Sequence, residues 1–263
     1  MTTAGRYEVA VRTPLIFGTW SFGEDAGAYP EQVTFRFDGR EFTWHANSEP
    51  SEHTGMKDCP NLTVMLGGSS GAAPEALAAN QAMSALSWLY RVPIEPVYGG
   101  VVGFRQPSER PLIRDSGVYG GAGRLVSPLK ELLVTDDDRL RLVLGLAREA
   151  RAAGSPFYRF LQFWNAAGAA LKKSASLKSE LEGVAEERAK ALGWPTPAGG
   201  WWKHLKDSNR DAIAHAVRNN PSLPALDPDD PVDRGRLARD AQILEALLEA
   251  KVDEGWPYAV MAQ

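Results

Sequence analysis

The sequence predicts an α+β protein, with a β-rich mixed domain over residues 1–127 followed by an all-α helical bundle over residues 128–263. Three observations lead there. Apolar residues alternate with period two in the early segments and recur at helical spacing in the later ones. The first 130 residues are rich in Gly, Pro, Thr and Phe, and the remainder in Ala, Leu, Arg and Glu. Between them, residues 105–127 carry Pro107, Pro111, Gly117 and Gly120-Gly-Ala-Gly123, the texture of a loop and linker.

Taken in order, Arg6–Arg12 alternates as a strand does, and Gln32–Phe37 and Glu41–Trp44 flank Asp38-Gly39. Asp-Gly between alternating β-formers signals a hairpin, because a type I′ turn needs positive φ at both central residues. Leu62–Leu66 is a short apolar strand running into Gly67-Gly-Ser-Ser-Gly71. A helix is expected from about Pro74 to Tyr90, with Leu77, Ala78, Ala82, Ala85, Leu86 and Leu89 on its apolar stripe. Ile94–Phe104 reads as extended, interrupted by Pro96 and Gly99-Gly100. Strands should dominate before residue 70, and none is expected after about residue 135.

Five helices follow. Asp136-Asp-Asp138 is an acidic start signal for the first, which carries Leu140, Leu142, Val143, Leu146 and Ala147 and stops near Gly154-Ser-Pro156. The second spans Phe157 to about Lys173, with Phe160, Leu161, Trp164 and Ala167 at helical spacing. The third runs from about Leu177 to Leu192 and ends at Gly193. The fourth covers Trp201–Val217, and the fifth covers about Arg234 to Glu254 after the acidic linker Leu226–Pro231. Short connections between five helices make a bundle.

Composition narrows the classes. The net charge of −4 argues against a chain-wide affinity for polyanions. One cysteine, Cys59, precludes an intramolecular disulfide and a thiolate metal cluster. The start of the chain lacks the apolar stretch of a signal peptide, and no run reaches the ~18 consecutive apolar residues of a membrane span. A cytoplasmic protein without membrane partners is expected.

The fourth helix concentrates the chemistry. At roughly 100° per residue, Lys203, His204, Asp207, Ser208, Arg210, Asp211, His215 and Arg218 fall in one wedge of about 160°. Trp202, Leu205, Ala212, Ile213, Ala216 and Val217 fill the rest of the wheel. Asp211 and His215, four apart, are neighbours on a helix face, so the carboxylate is placed to orient the imidazole. Arg210 lies about 140° from His215 around a straight helix. One ligand reaches both only across the helix, at a distorted turn, or between two copies. Residues 151–220 carry 11 Lys/Arg against 6 Asp/Glu, a local basic balance that suits a phosphate.

Arg210-Asp-Ala-Ile-Ala-His215, late in a helical bundle, resembles the arginine–polar–three residues–histidine motif of the HEPN superfamily. Together with Phe157-Tyr-Arg-Phe-Leu161, the Pro/Asp-rich linker and Leu237-Ala-Arg-Asp-Ala241, it is closest in pattern to the methylamine-utilisation MauJ-type proteins. The resemblance covers residues 136–263. It implies an HEPN-like bundle acting as a homodimer on RNA or a nucleotide, without metal or other cofactor. Arg210, Asp211 and His215 would then be the catalytic residues of a metal-independent endoribonuclease. The alternative it implies is a non-catalytic accessory or interaction protein of the methylamine-utilisation type.

Weaker signals have plainer readings. Gly67-Gly-Ser69-Ser-Gly71 matches a nucleophile elbow between strand and helix. The chain then turns helical where a serine hydrolase needs further parallel strands, so a Gly/Ser turn is expected and Ser69 is not expected to be a nucleophile. His45, His53 and Cys59, with Glu49, Glu52 and Asp58, fit no metal-ligand spacing and read as a polar loop. Trp201-Trp202 and Phe157, Phe160 and Trp164 are expected in the core.

Overall fold

The computed structural model describes residues 6–13, 15–17, 32–45, 61–65, 73–96, 101–102, 124–126, 129–134, 137–171, 174–214, 226–256 and 260–263. The chain divides into two compact units: Met1–Val134 together with Val260–Gln263, and Thr135–Ala259.

The first unit is built on an antiparallel sheet. Its strands are β1 (Arg6–Arg12), β3 (Gln32–Phe37), β4 (Arg40–His45), β5 (Asn61–Met65), β6 (Glu95–Pro96) and β7 (Val101–Val102). The order is β3-β4-β5-β1-β6, and β7 also pairs with β1. The β3–β4 hairpin turns at Asp38 and Gly39, whose φ values of 50° and 69° are the two positive angles the Asp-Gly signal requires. Alternation does its work in β3: Val33, Phe35 and Phe37 are buried while Gln32, Thr34 and Arg36 are exposed. Phe35 lies opposite Phe42, and the two rings stack at 5.7 Å between centroids.

Helix α1 (Ala73–Tyr90) packs against β1 and β5. Its buried face is mostly small (Ala78, Ala79, Ala82, Ala85) with Met83 and Leu86 filling the gaps, so the backbone lies close to its neighbours. Leu77, expected on that face, is exposed. Two small pairings complete the unit: β2 (Leu15–Phe17) runs parallel to β8 (Arg124–Val126), and β9 (Leu132–Val134) pairs antiparallel with β10 (Val260–Ala262). Two expectations are corrected here. Residues 124–126, read as linker, form a strand. A strand also lies beyond residue 135, because the last residues of the chain return to cap β9, with Gln263 and Glu131 exchanging backbone hydrogen bonds.

Between Asp138 and Gly255 the described elements are helical. They are α2 (Asp138–Ala152), α3 (Pro156–Ala170), α4 (Ser174–Leu192), α5 (Trp201–Lys203), a π-helix (His204–Asp211), α6 (Ala212–Ala214) and α7 (Pro231–Gly255). Asp137 caps α2 by accepting the amides of Arg139 and Leu140. At the end of α4, Gly193 takes φ 66° and the Trp194 amide bonds the Ala189 carbonyl, a Schellman closure that needs glycine at that point. Helix α7 starts earlier than expected, at Pro231, because Asp230 caps the Val232 amide and proline suits the first turn. Helix α3 packs between α2 and α7, and α4 packs on α7. Phe160, Phe163, Trp201, Leu205, Leu237, Leu244 and Leu248 are buried. Leu142, assigned to the apolar face of α2, is 55% exposed. Among the described residues, no helix is long and apolar enough to cross a membrane.

Candidate functional site

The helix that carries the arginine motif is not a straight α-helix. Its first turn is α-helical, with the His204 amide on the Gly200 carbonyl, and from His204 to Asp211 the ladder widens to the i→i+5 pattern. It then tightens, with the Ala212 amide on the Asn209 carbonyl, and resumes as α6. Residues five apart, which diverge by about 140° on an α-helix, therefore stack one turn above another.

Two side-chain constellations follow from that register. The first is buried. Asp240, on α7, is fully buried. His204 donates from Nε2 to its Oδ2 at 2.7 Å, and Asn209 donates from Nδ2 to the same oxygen at 2.8 Å. Arg239 donates from Nε at 3.0 Å and Nη2 at 2.9 Å to Oδ1. Burial alone would raise the carboxyl pKa, but the bonds and charges of His204, Asn209 and Arg239 outweigh it and hold Asp240 below the usual carboxylate range. Around it, Trp201 meets His204 edge-on at 5.8 Å, and the Arg239 guanidinium lies over Trp194.

The second constellation is partly exposed. Asp211 accepts from Arg210 Nη1 at 2.5 Å and from Lys206 Nζ at 2.9 Å, one cation to each carboxylate oxygen. Lys206 also donates to Asp207 at 3.0 Å. Partial burial works to raise the Asp211 pKa, and the hydrogen bonds from Arg210 and Lys206 prevail and lower it. The same contacts raise Lys206. The Arg210 side chain remains 39% exposed.

The residues singled out in the sequence thus separate. Arg210 and Asp211 stand together on the open side of the π-helix, and His215 lies outside the described residues, as do Ser69, His53 and Cys59. His204, placed on the solvated wedge by the straight-helix wheel, instead turns inward to Asp240. Lys206, five residues from Asp211 and so about 140° from it on a straight helix, is bonded to it. The wheel fails in both cases because the ladder is π. Trp201 is buried as expected, and Trp202 packs on Trp164 at 5.8 Å between rings. Sequence reading missed Asn209 and Asp240 as site residues. A signal existed for Asp240: it occupies an inward slot of the stripe Leu237, Ala241, Leu244, Leu248, where a carboxylate demands donors. Among the described residues, no group of three or more His, Cys, Asp or Glu is placed to hold a metal ion.

Residues 143–252 match the family model described as methylamine utilization protein MauJ. That segment, within the C-terminal half of the chain, is MauJ-like. The match runs from within α2 to within α7, and both constellations fall inside it. No curated protein and no solved structure matches the chain.

Proposed function

We propose that the MauJ-like unit is an HEPN-like protein that binds RNA or a nucleotide and cleaves RNA without a metal, acting as a dimer through Arg210, Asp211 and His215. The observation that carries this reading is the half-exposed Arg210 guanidinium at the end of a π-helix, a distortion that recurs at functional sites. It sits in the arginine–aspartate–three residues–histidine motif, inside the matched segment. Asp211 fixes the guanidinium without enclosing it, and Lys206 adds a second cation beside it. A phosphate approaching from solvent meets a planar, permanently charged donor able to bind two of its oxygens.

In this mechanism His215 removes the ribose 2′-hydroxyl proton or protonates the leaving 5′-oxygen. Arg210 stabilises the charge that builds on the phosphoryl oxygens. A second copy of the helix brings a second His215 to the phosphate, so that base and acid come from different protomers.

The test is incubation of the purified full chain with a mixed RNA pool in excess EDTA, followed by mapping of 2′,3′-cyclic phosphate ends. His215→Ala should reduce cleavage about 10²–10⁴-fold, and Arg210→Ala should reduce cleavage and RNA retention together.

A second reading starts from the matched family's description, methylamine utilization, and takes the chain as a non-catalytic accessory protein of that type. In that case the Arg210–Asp211–Lys206 group is a docking surface for another protein. Indistinguishable RNA profiles for wild type and His215→Ala would replace the first reading with the second.

A further inference from the structure

A π-helix is rare and usually a single turn, so one of eight residues persists where something specific rewards it. Here the reward is visible. Asp240 is a fully buried carboxylate, and such a group is tolerated only when donors surround it. Arg239, its own neighbour on α7, satisfies Oδ1. Oδ2 draws both its donors, His204 and Asn209, from the facing helix, and they are five residues apart. An α-helical ladder would swing one of them about 140° away from the carboxylate. Only the i→i+5 ladder brings both to one oxygen.

The register that satisfies Asp240 also decides what happens on the open side of the helix. Lys206 and Asp211 are likewise five apart, and their 2.9 Å contact exists for the same reason. Asp211 in turn holds Arg210. A ladder returned to i→i+4 would part Lys206 from Asp211 and rotate the Arg210–Asp211 pair relative to Leu205 and Asn209, which anchor the buried side.

We infer that Asp240 is the positioning residue of the arginine motif: by drawing His204 and Asn209 to one oxygen it sets the π register, and through that register it aims Arg210 at the phosphate. The consequence for cleavage rests on the RNA reading above, whereas the control of register does not. Asp240 touches no substrate, and acts through backbone phase.

The experiment reads register and activity separately on the labelled full chain. Through-hydrogen-bond NMR couplings in the wild type should join amides of the π-helix to carbonyls five residues earlier. In Asp240→Leu they should join carbonyls four residues earlier, and RNA cleavage should fall about 10²-fold, the scale of a small misplacement of a catalytic group. Asn209→Ala, which removes one donor and leaves the charge satisfied by Arg239, should give the same shift if Asp240→Leu does not fold. His204→Gln retains an N–H donor and should keep both register and cleavage, whereas His204→Leu should lose both. Couplings that stay at five residues in Asp240→Leu, or in Asn209→Ala if Asp240→Leu does not fold, would overturn the inference. A shift of register with no cleavage by any protein, wild type included, would support the positioning role and remove the RNA reading.

Discussion

The two sides of the π-helix carry the same device in opposite surroundings. On the inner side, His204 and Asn209 grip Asp240 away from water; on the outer side, Lys206 and Asp211 pair at the same spacing with solvent around them. The spacing is the same, but the inner residues converge on a third group while the outer two bond each other, and the energetics differ too. A buried carboxylate stripped of a partner keeps its desolvation penalty, while an exposed one exchanges its partner for water. The inner pair therefore governs the register, and the outer pair follows it.

Mutation should expose the asymmetry. Asp240→Ala leaves His204, Asn209 and Arg239 without their acceptor. It should cost about 3–5 kcal/mol, the range for breaking a buried charged pair from one side, measured as a drop in the urea midpoint. His204→Ala removes one donor from a charged acceptor that keeps two others, and should cost roughly 1.5–3 kcal/mol in the same assay. Lys206→Ala should cost less than ~1 kcal/mol, as exposed pairs do. If Lys206→Ala proves as damaging as Asp240→Ala, the division into a governing and a following side is wrong.

Acid sharpens the same contrast. The Asp240 carboxyl lies below its ordinary 3.8 in the folded protein. A depressed folded-state pKa means that the unfolded chain takes up the proton first. Its stabilising contribution is thus complete above the unfolded value and lost as pH falls below about 4 toward the folded value. Stability measured from pH 6 down to pH 2.5 should fall in wild type more than in Asp240→Asn, which has no proton to gain there. Asp211 shifts in the same direction but is partly exposed, so Asp211→Asn should change the acid limb less, and 0.5 M salt should shrink its effect further. A larger acid dependence at Asp211 than at Asp240 would reverse the assignment.

Much of this architecture was legible because local signals and packing agree. Asp38-Gly39 needs two positive φ angles and has them; the acidic run at Asp137 and the glycine at Gly193 mark helix ends by bonds local to the sequence, whereas the cap at Asp230-Pro231 reads as linker. The site was legible in part. Arg210 and Asp211 were found from residue types and spacing, but their neighbours were assigned with an α-helical period. Nothing within Trp201–Ala214 alone announces a π ladder, since the reason for it is Asp240, on another helix. Leu77 and Leu142 illustrate the complementary failure: periodicity marks a stripe, and its rim is exposed when no element covers it. The strand Val260–Ala262 escaped notice because three residues carry no period; its pairing with β9 is a long-range choice.

The clasp between Asp137 and Trp256 carries one more consequence. The indole Nε1 of Trp256 donates to Asp137 at 2.9 Å, and Arg139 lies over its ring at 4.4 Å, so residues just inside the two ends of Thr135–Ala259 are fastened together. A segment whose ends meet is an insertion, not an interruption: to the chain entering at β9 and leaving at β10 it amounts to a short connection, and the closure entropy of a long loop is met inside the inserted unit. By that logic the helical unit is a transplantable module. Residues 135–259 should fold when excised, and a few-residue turn from Val134 to Val260 should leave the sheet intact behind them.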